Sequence, residues 1–281
     1  MAPPNTAAPP SELPLSVRLT NLAQTLQFAW FVGHLTLLVC TLRYSLSIAK
    51  FSSGSTGATI AYRLAFLSAA ATYGIVVYKA YRARFRSGTM PTGQQGIIKI
   101  LGDENVQYLL MAFAWLYAKP VFFALFPFAV YSTFHFLTYL RTNVIPTIMP
   151  TAPGAPQPAV AETIARFVKK NYDASMHLVA NLELFLWARV FLYCLVFQNS
   201  WILLAIYTIF LRARYAQSVF VRDALKGIEQ RVDALMTDAR VPDGVKTTWT
   251  IGKQVVKRFG EVSDVSKFLG GAAAAPAAKK D

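Results

Sequence analysis

Asp103 and Glu104 stand side by side, while the three histidines, His34, His135 and His177, are scattered far from them and from one another. Paired carboxylates do acid–base work when they are held within reach of a reacting group and a complementary acid, base or nucleophile. Neither the pair nor any histidine has such a partner nearby in sequence. The pair reads instead as the start of a helix, where acidic side chains take up free N–H groups and favour the positive end of the dipole. No Ser/His/Asp arrangement, metal-ligand cluster or phosphate-cradling glycine loop stands out, so neither enzymatic activity, cofactor nor metal is expected. A second set of polar residues, Arg43, Arg63, Glu183, Arg189 and His135, falls within or beside apolar stretches. Ionisable groups in such places mark transport or ligand routes. For Arg43 and Arg63 the plainer reading is snorkelling to an adjacent interface, and for His135 a packed polar residue.

The elements that must position these residues are long and apolar. Of 281 residues, 54% are hydrophobic and only 15% charged, with a net charge of +14. One almost uncharged stretch runs from Val106 to Leu140, broken by Lys119-Pro120. Another runs from Leu184 to Leu211, broken by Gln198-Asn199-Ser200. As continuous helices they would measure about 52 Å and 42 Å at 1.5 Å per residue, against a hydrocarbon core of about 30 Å. They are long for one span and short for two. Two further segments, Leu26 to Ile48 and Ile60 to Tyr81, flank a Ser/Gly-rich turn from Ser52 to Gly57 and read as a helical hairpin. Leu13, Val17, Leu22 and Leu26 recur at helical spacing and predict a short interfacial helix before it.

Cations gather beside these segments: Lys79, Arg82, Arg84, Arg86 and Lys99, then Arg141, Arg166, Lys169 and Lys170, then Arg212 and Arg214. Basic flanks stay on the cytoplasmic side. The expectation is an all-α integral membrane protein with three cytoplasm-facing helical hairpins, both termini cytoplasmic and the Ser/Gly turn luminal. The alternative is four spans, with each long block crossing once and the Pro/Ala linker luminal. The charge suits an anionic lipid membrane or an acidic partner, and not nucleic acid, because no nucleic-acid module accompanies it. Cys40 and Cys194 lie in apolar segments and read as buried, reduced thiols.

The expected division is a disordered leader (1–12), a membrane region with two hairpins (13–145) and a Pro/Ala linker (146–159). A membrane region with a preceding helix and the third hairpin (160–214), a cytoplasmic helix (215–240), a basic amphipathic helix (243–269) and a disordered tail (270–281) follow. The glycine-rich run Gly88 to Gly96 reads as a mobile loop. In the first tail helix, Val221, Leu225, Ile228, Val232 and Leu235 alternate spacings of four and three, a narrow packing seam for the protein's own membrane domain or for another chain. In the second, Trp249, Ile251, Val255, Val256, Phe259 and Val262 share one broad face. Lys246, Lys253 and Lys257 lie opposite, and Arg258 flanks it. Such a helix suits an anionic membrane interface; the alternative is a helix folded onto the protein's own surface.

Asp103-Glu104 followed by Tyr108-Leu109-Leu110, then Leu125-Phe126-Pro127, His135 and Thr138-Tyr139, and later Tyr207, Phe210-Leu211-Arg212 and Arg214-Tyr215, together resemble the transmembrane-protein-33 family. Its fungal members are pore-membrane nucleoporins of the endoplasmic reticulum and nuclear envelope. The resemblance covers Leu15 to Ser218. It implies a non-enzymatic protein that organises or shapes those membranes and contributes to nuclear pore distribution or assembly. Implied partners are reticulon-type shaping proteins, nucleoporins and an importin, the last through a C-terminal amphipathic segment. A function of another class, a small transporter or channel regulator, would need the five intramembrane polar residues to line one route.

Overall fold

The computed structural model describes residues 13–90, 93–151 and 156–262, and among the described residues every regular element is helical. After α1 (Leu15–Ala23) come α2 (Leu26–Ala49), α3 (Thr56–Arg86), α4 (Gly93–Leu101) and α5 (Glu104–Tyr117). A short 3-10 turn leads into α6 (Leu125–Tyr139), which passes through a π-helical turn (Leu140–Val144) into α7 (Ile145–Ile148). Then follow α8 (Ala159–Leu195), α9 (Trp201–Gln217), α10 (Val219–Met236) and α11 (Asp243–Val262).

Short polar side chains define where these helices begin. Thr25, Ser55, Asp103, Ser200 and Ser218 each accept a first-turn N–H with the side-chain oxygen, at the starts of α2, α3, α5, α9 and α10. These groups would otherwise be unsatisfied where water is scarce. α2 and α3 form a close antiparallel pair. α3 turns Ala58, Ala61, Ala65 and Ala69 inward, and Gly33 of α2 meets Thr72. Small residues let helix backbones approach where hydrophobic burial gives little drive between helices.

Both long apolar blocks reverse direction. The hydroxyls of Tyr108 and Tyr131, on opposite sides of Lys119-Pro120, lie 3.1 Å apart, so α5 and α6 run antiparallel. Trp187 donates its indole N–H to Thr208 at 2.9 Å across the Gln198–Ser200 turn, setting the end of α8 antiparallel to α9. α2, α3, the run from Phe122 to Ile148 and α8 are each long and apolar enough to cross a membrane. With 14 and 17 residues, α5 and α9 measure about 21 Å and 26 Å, short of the hydrocarbon core. The chain is an all-α integral membrane protein whose two longest apolar blocks are helical hairpins with one short arm each.

Three boundaries differ from those expected. The Gly88 to Gly96 run is not a loop throughout: Gly88, at φ +66°, closes α3, and Gly93 already opens α4, whose Ile97, Ile98, Ile100 and Leu101 give it a helical apolar period. α6 does not stop at Arg141. The π-helical turn relaxes the hydrogen-bond ladder ahead of Pro146, and the helix continues to Ile148 into the segment expected as linker. The helix expected before the third hairpin and that hairpin's first arm are one unit, α8, because neither proline nor glycine interrupts Ala159 to Leu195. The leader, part of the Pro/Ala linker and residues beyond Val262 fall outside the described residues.

A methyl group built on Gly33 would come within 2.6 Å of the Thr72 side-chain methyl. Gly33→Ala is expected to lower stability by about 1–3 kcal/mol, and Thr72→Ser, which removes that methyl, should recover most of the loss. Thermal unfolding of the purified protein in detergent, followed by circular dichroism, checks both.

Candidate membrane and partner interface

Helices α5, α6, α8 and α9 enclose a cluster of charge. Glu183 of α8 is 1% exposed and Arg214 of α9 is 4% exposed. The Tyr108 hydroxyl donates to Glu183 Oε1. Arg214 donates through Nε to Glu183 Oε2 at 3.4 Å and through Nη2 to the Tyr131 hydroxyl at 3.3 Å, and its Nη1 pairs with Glu104 at 2.9 Å. Tyr207 adds a hydrogen bond to the Glu183 carbonyl at 3.2 Å. One guanidinium thereby joins the starts of α5 and the ends of α9 to α6 and α8. Gln217 Nε2 reinforces this end by donating to the Gly102 carbonyl at 2.6 Å.

The break at Lys119-Pro120 is held by α3. Arg63 Nη1 donates to the carbonyls of Ala118, at 2.8 Å, and Leu116. It places a cation at the negative end of α5 and satisfies acceptors that the proline leaves open. The Tyr62 hydroxyl accepts the Val121 N–H at 3.1 Å. The Gln198-Asn199-Ser200 turn closes on α8 through the Gln198 N–H, which donates to the Tyr193 carbonyl at 2.8 Å, and Ser200 caps α9.

The five residues weighed as a transport route occupy separate surroundings. Glu183 is enclosed by Tyr108 and Arg214, and Arg63 by the end of α5. Arg189 lies over the Tyr193 ring at 4.2 Å. His135 packs 5.0 Å from Trp30 and 4.9 Å from His34, whose Nδ1 is 2.9 Å from the Ser132 hydroxyl. Arg43 reaches the start of α3 beside Gly57. Among the described residues no group of three His, Cys, Asp or Glu side chains is placed to hold a metal.

The tail folds back on the bundle. Val221 and Ala224 of α10 bury against Ala180 and Leu184 of α8, with Leu225 packed beside them. Farther along the same seam Val232 is half-buried, while Ile228 and Leu235 are exposed, at 40% and 63%. α11 runs antiparallel along α10. Asp233 accepts the Trp249 indole N–H at 2.6 Å and the Lys253 ammonium at 2.7 Å, and Lys253 also lies 3.9 Å from Glu229. The far end of α11 reaches α9, where Arg212 donates to the Gly260 carbonyl at 3.1 Å. Trp249 therefore turns to α10 rather than outward with its aliphatic neighbours. Ile251, Val255 and Val256 remain 54%, 59% and 61% exposed, Lys257 and Arg258 are exposed, and Lys246 is half-buried near Asp243. Phe259 and Val262 belong to α11 by backbone.

Sequence reasoning took Glu104 as a cap and Arg214 as a flanking cation and did not join either to Glu183. The only local signal was a carboxylate inside an apolar block, which required a partner from elsewhere in the chain.

Removing one partner of the buried pair leaves the other uncompensated. Arg214→Ala is expected to cost about 3–5 kcal/mol, whereas Glu104→Ala, on a side chain 53% exposed, should cost no more than about 1 kcal/mol. Equilibrium unfolding in detergent measures the contrast. In the tail, hydrogen bonds from Lys253 and Trp249 hold the Asp233 carboxyl below its ordinary value of 3.8. A depressed carboxylate supports its contact at neutral pH and loses it as pH falls through the lowered value. Spin labels at Gln230 and Gln254 are expected to keep a short separation from pH 7 to 5 and to spread in Asp233→Asn at pH 7.

The family description "Transmembrane protein 33/Nucleoporin POM33" matches residues 10–261. "Nucleoporin POM33" of Chaetomium thermophilum is 44% identical over 288 residues, covering 98% of both chains. "Tetra-spanning protein 1" of Schizosaccharomyces pombe is 33% identical, covering 88% of both. "Pore membrane protein of 33 kDa" of Saccharomyces cerevisiae is 29% identical over 92% of this chain and 91% of its own. No solved structure matches the chain.

Proposed function

The chain belongs to the Transmembrane protein 33/Nucleoporin POM33 family, and from that premise we propose that it is a non-enzymatic membrane protein of the endoplasmic reticulum and nuclear envelope that shapes membrane at nuclear pores. The names of its relatives, a nucleoporin and a pore membrane protein, support the pore association. The partners expected by resemblance, nucleoporins, reticulon-type shaping proteins and an importin, belong to this proposal.

The observation that carries the shaping role is the unequal distribution of protein along the bundle axis. The turns at Ser52–Gly57, Ala118–Val121 and Val196–Ser200 are short and lie toward one end. Toward the other, α3, α6 with α7, and α8 extend past the level of the Tyr108–Arg214 cluster, and α1, α4, α10 and α11 join them. That end also carries Arg82, Arg84, Arg86, Lys99, Arg166, Lys169 and Lys170. Placed on the cytoplasmic side by the distribution of basic residues, it displaces more lipid in the outer leaflet than the turns do in the luminal one. The exposed aliphatic stripe of α11 adds apolar area and the neighbouring Lys257 and Arg258 add charge attraction at the same surface.

Tubes pulled from giant vesicles containing the labelled, reconstituted protein test this reading. The protein is expected to concentrate in the tube relative to the parent vesicle, and deletion of residues 245–262 should weaken that enrichment. Equal density in tube and vesicle would sink the shaping role.

A further inference from the structure

Between the end of α5 and the beginning of α9 lies an open cleft of about 700 Å³. Its walls are apolar, including Phe113, Tyr117 and Ile206, and its rim is polar: Lys119 from one turn and Gln198 and Asn199 from the other. None of the lining residues is acidic, and among the described residues no carboxylate pairs with Lys119.

Lys119 is exposed at the rim of the cleft, but its turn is set back from the end of the bundle. The Val121 N–H of that turn meets the hydroxyl of Tyr62, six residues into α3, which sets the turn back from the Ser/Gly end by up to about 9 Å. A lysine set back beside apolar walls either extends to the interface or meets an anion, and none of the chain's carboxylates among the described residues supplies one. Two other features favour one. The Asn199 amide nitrogen is enclosed at the rim without a hydrogen-bond partner, and rotation of its side chain into the cleft would give this donor an acceptor. Ile202 and Leu203, in the first turn of α9, line the same cleft, presenting the positive end of a helix dipole.

The edges of this end are aromatic. Phe51 and Phe197 end α2 and α8 in the left-handed conformation, at φ 53° and 56°, with side chains 98% and 86% exposed, and Tyr117 is 81% exposed. Glycine is the ordinary residue at such helix ends, and a bulky side chain there is strained. A tyrosine such as Tyr117, with an apolar ring and a polar hydroxyl, is at home where acyl chains meet headgroups.

We propose that this cleft is a binding site for an anionic glycerophospholipid, with the phosphate at Lys119, Asn199 and the start of α9 and the upper acyl chain along Phe113, Tyr117 and Ile206. A free anion would not explain the apolar walls, and a hydrocarbon chain alone would not explain the cation. The inference rests on the bundle lying in a membrane, and not on curvature or on the tail.

Native mass spectrometry of the full chain in non-ionic detergent tests it, with phosphatidic acid, phosphatidylserine and phosphatidylcholine as probes. Both anionic lipids are expected to remain bound at concentrations at least fivefold lower than phosphatidylcholine. Lys119→Gln should abolish that preference and Lys119→Arg should keep it. Ile206→Trp, which retains the charge and fills the apolar wall, should reduce retention of all three lipids at least fivefold. Circular dichroism matching that of the unsubstituted chain shows each variant to be folded. Equal retention of the three lipids, an anionic preference unchanged in Lys119→Gln, or displacement of the lipid by millimolar inorganic phosphate would overturn the proposal. None of these outcomes bears on sorting into tubes, so this site and the shaping role stand or fall separately.

Discussion

The hydrogen-bonded ion pair between Glu183 and Arg214 is the constraint on which the bundle depends. A carboxylate enclosed among helices in a low-dielectric setting is tolerated only if a cation and further donors meet it there. Arg214 and Tyr108 do so, with Tyr131 and Glu104 meeting the two terminal guanidinium nitrogens. Those groups come from α5, α6, α8 and α9, so satisfying one charge fixes the alignment of four helices. An apolar core of similar volume would be at least as stable. It would not distinguish one sliding position of these helices from another, because lipid and leucine are nearly equivalent solvents for their surfaces.

The same requirement governs the break at Lys119-Pro120. Interrupting a helix inside a membrane frees backbone groups that water does not reach, and such breaks persist only where other parts of the protein take them up. Arg63 and Tyr62, adjacent on α3, supply a donor for the end of α5 and an acceptor for Val121. The intramembrane arginine that suggested a transport route is thus part of the hairpin's construction. The break also ends α5 at Tyr117 and sets the Lys119 turn back from the Ser/Gly end of the bundle.

Features encoded locally were legible in the sequence. The apolar runs on either side of the Ser/Gly turn located α2 and α3, Asp103 announced the start of α5, and Lys119-Pro120 and Gln198-Asn199-Ser200 marked where the chain turns. Features that join distant segments were not. Arg214 is 31 residues from Glu183 and Tyr108 is 75, and nothing in either local pattern identifies the partner. The continuity of α8 was obscured because its polar first half and apolar second half look like two elements, although no breaker separates them. The partner of Trp249 was not visible for a related reason: a helical projection sorts residues by polarity, whereas an indole has an apolar body and a polar tip. Asp233 decides which of these faces its surroundings, and it lies on another helix.

That orientation bears on how the tail works. Had Trp249 pointed outward with Ile251 and Val255, the contact with α10 and insertion into lipid would compete for the same surface, and membrane binding would require α11 to leave the bundle. Instead Trp249 and Lys253 occupy the flank toward α10, while Ile251, Val255 and Val256 are exposed on the remainder. The two contacts are compatible. α10 is itself fixed to α8 through Val221 and Ala224, and Arg212 of α9 holds the far end of α11. α11 is therefore tied to the third hairpin at two places, through Asp233 of α10 and through Arg212. Under the proposed function the tail helix extends the wide end of the bundle sideways, with α8 and α9 as its attachment.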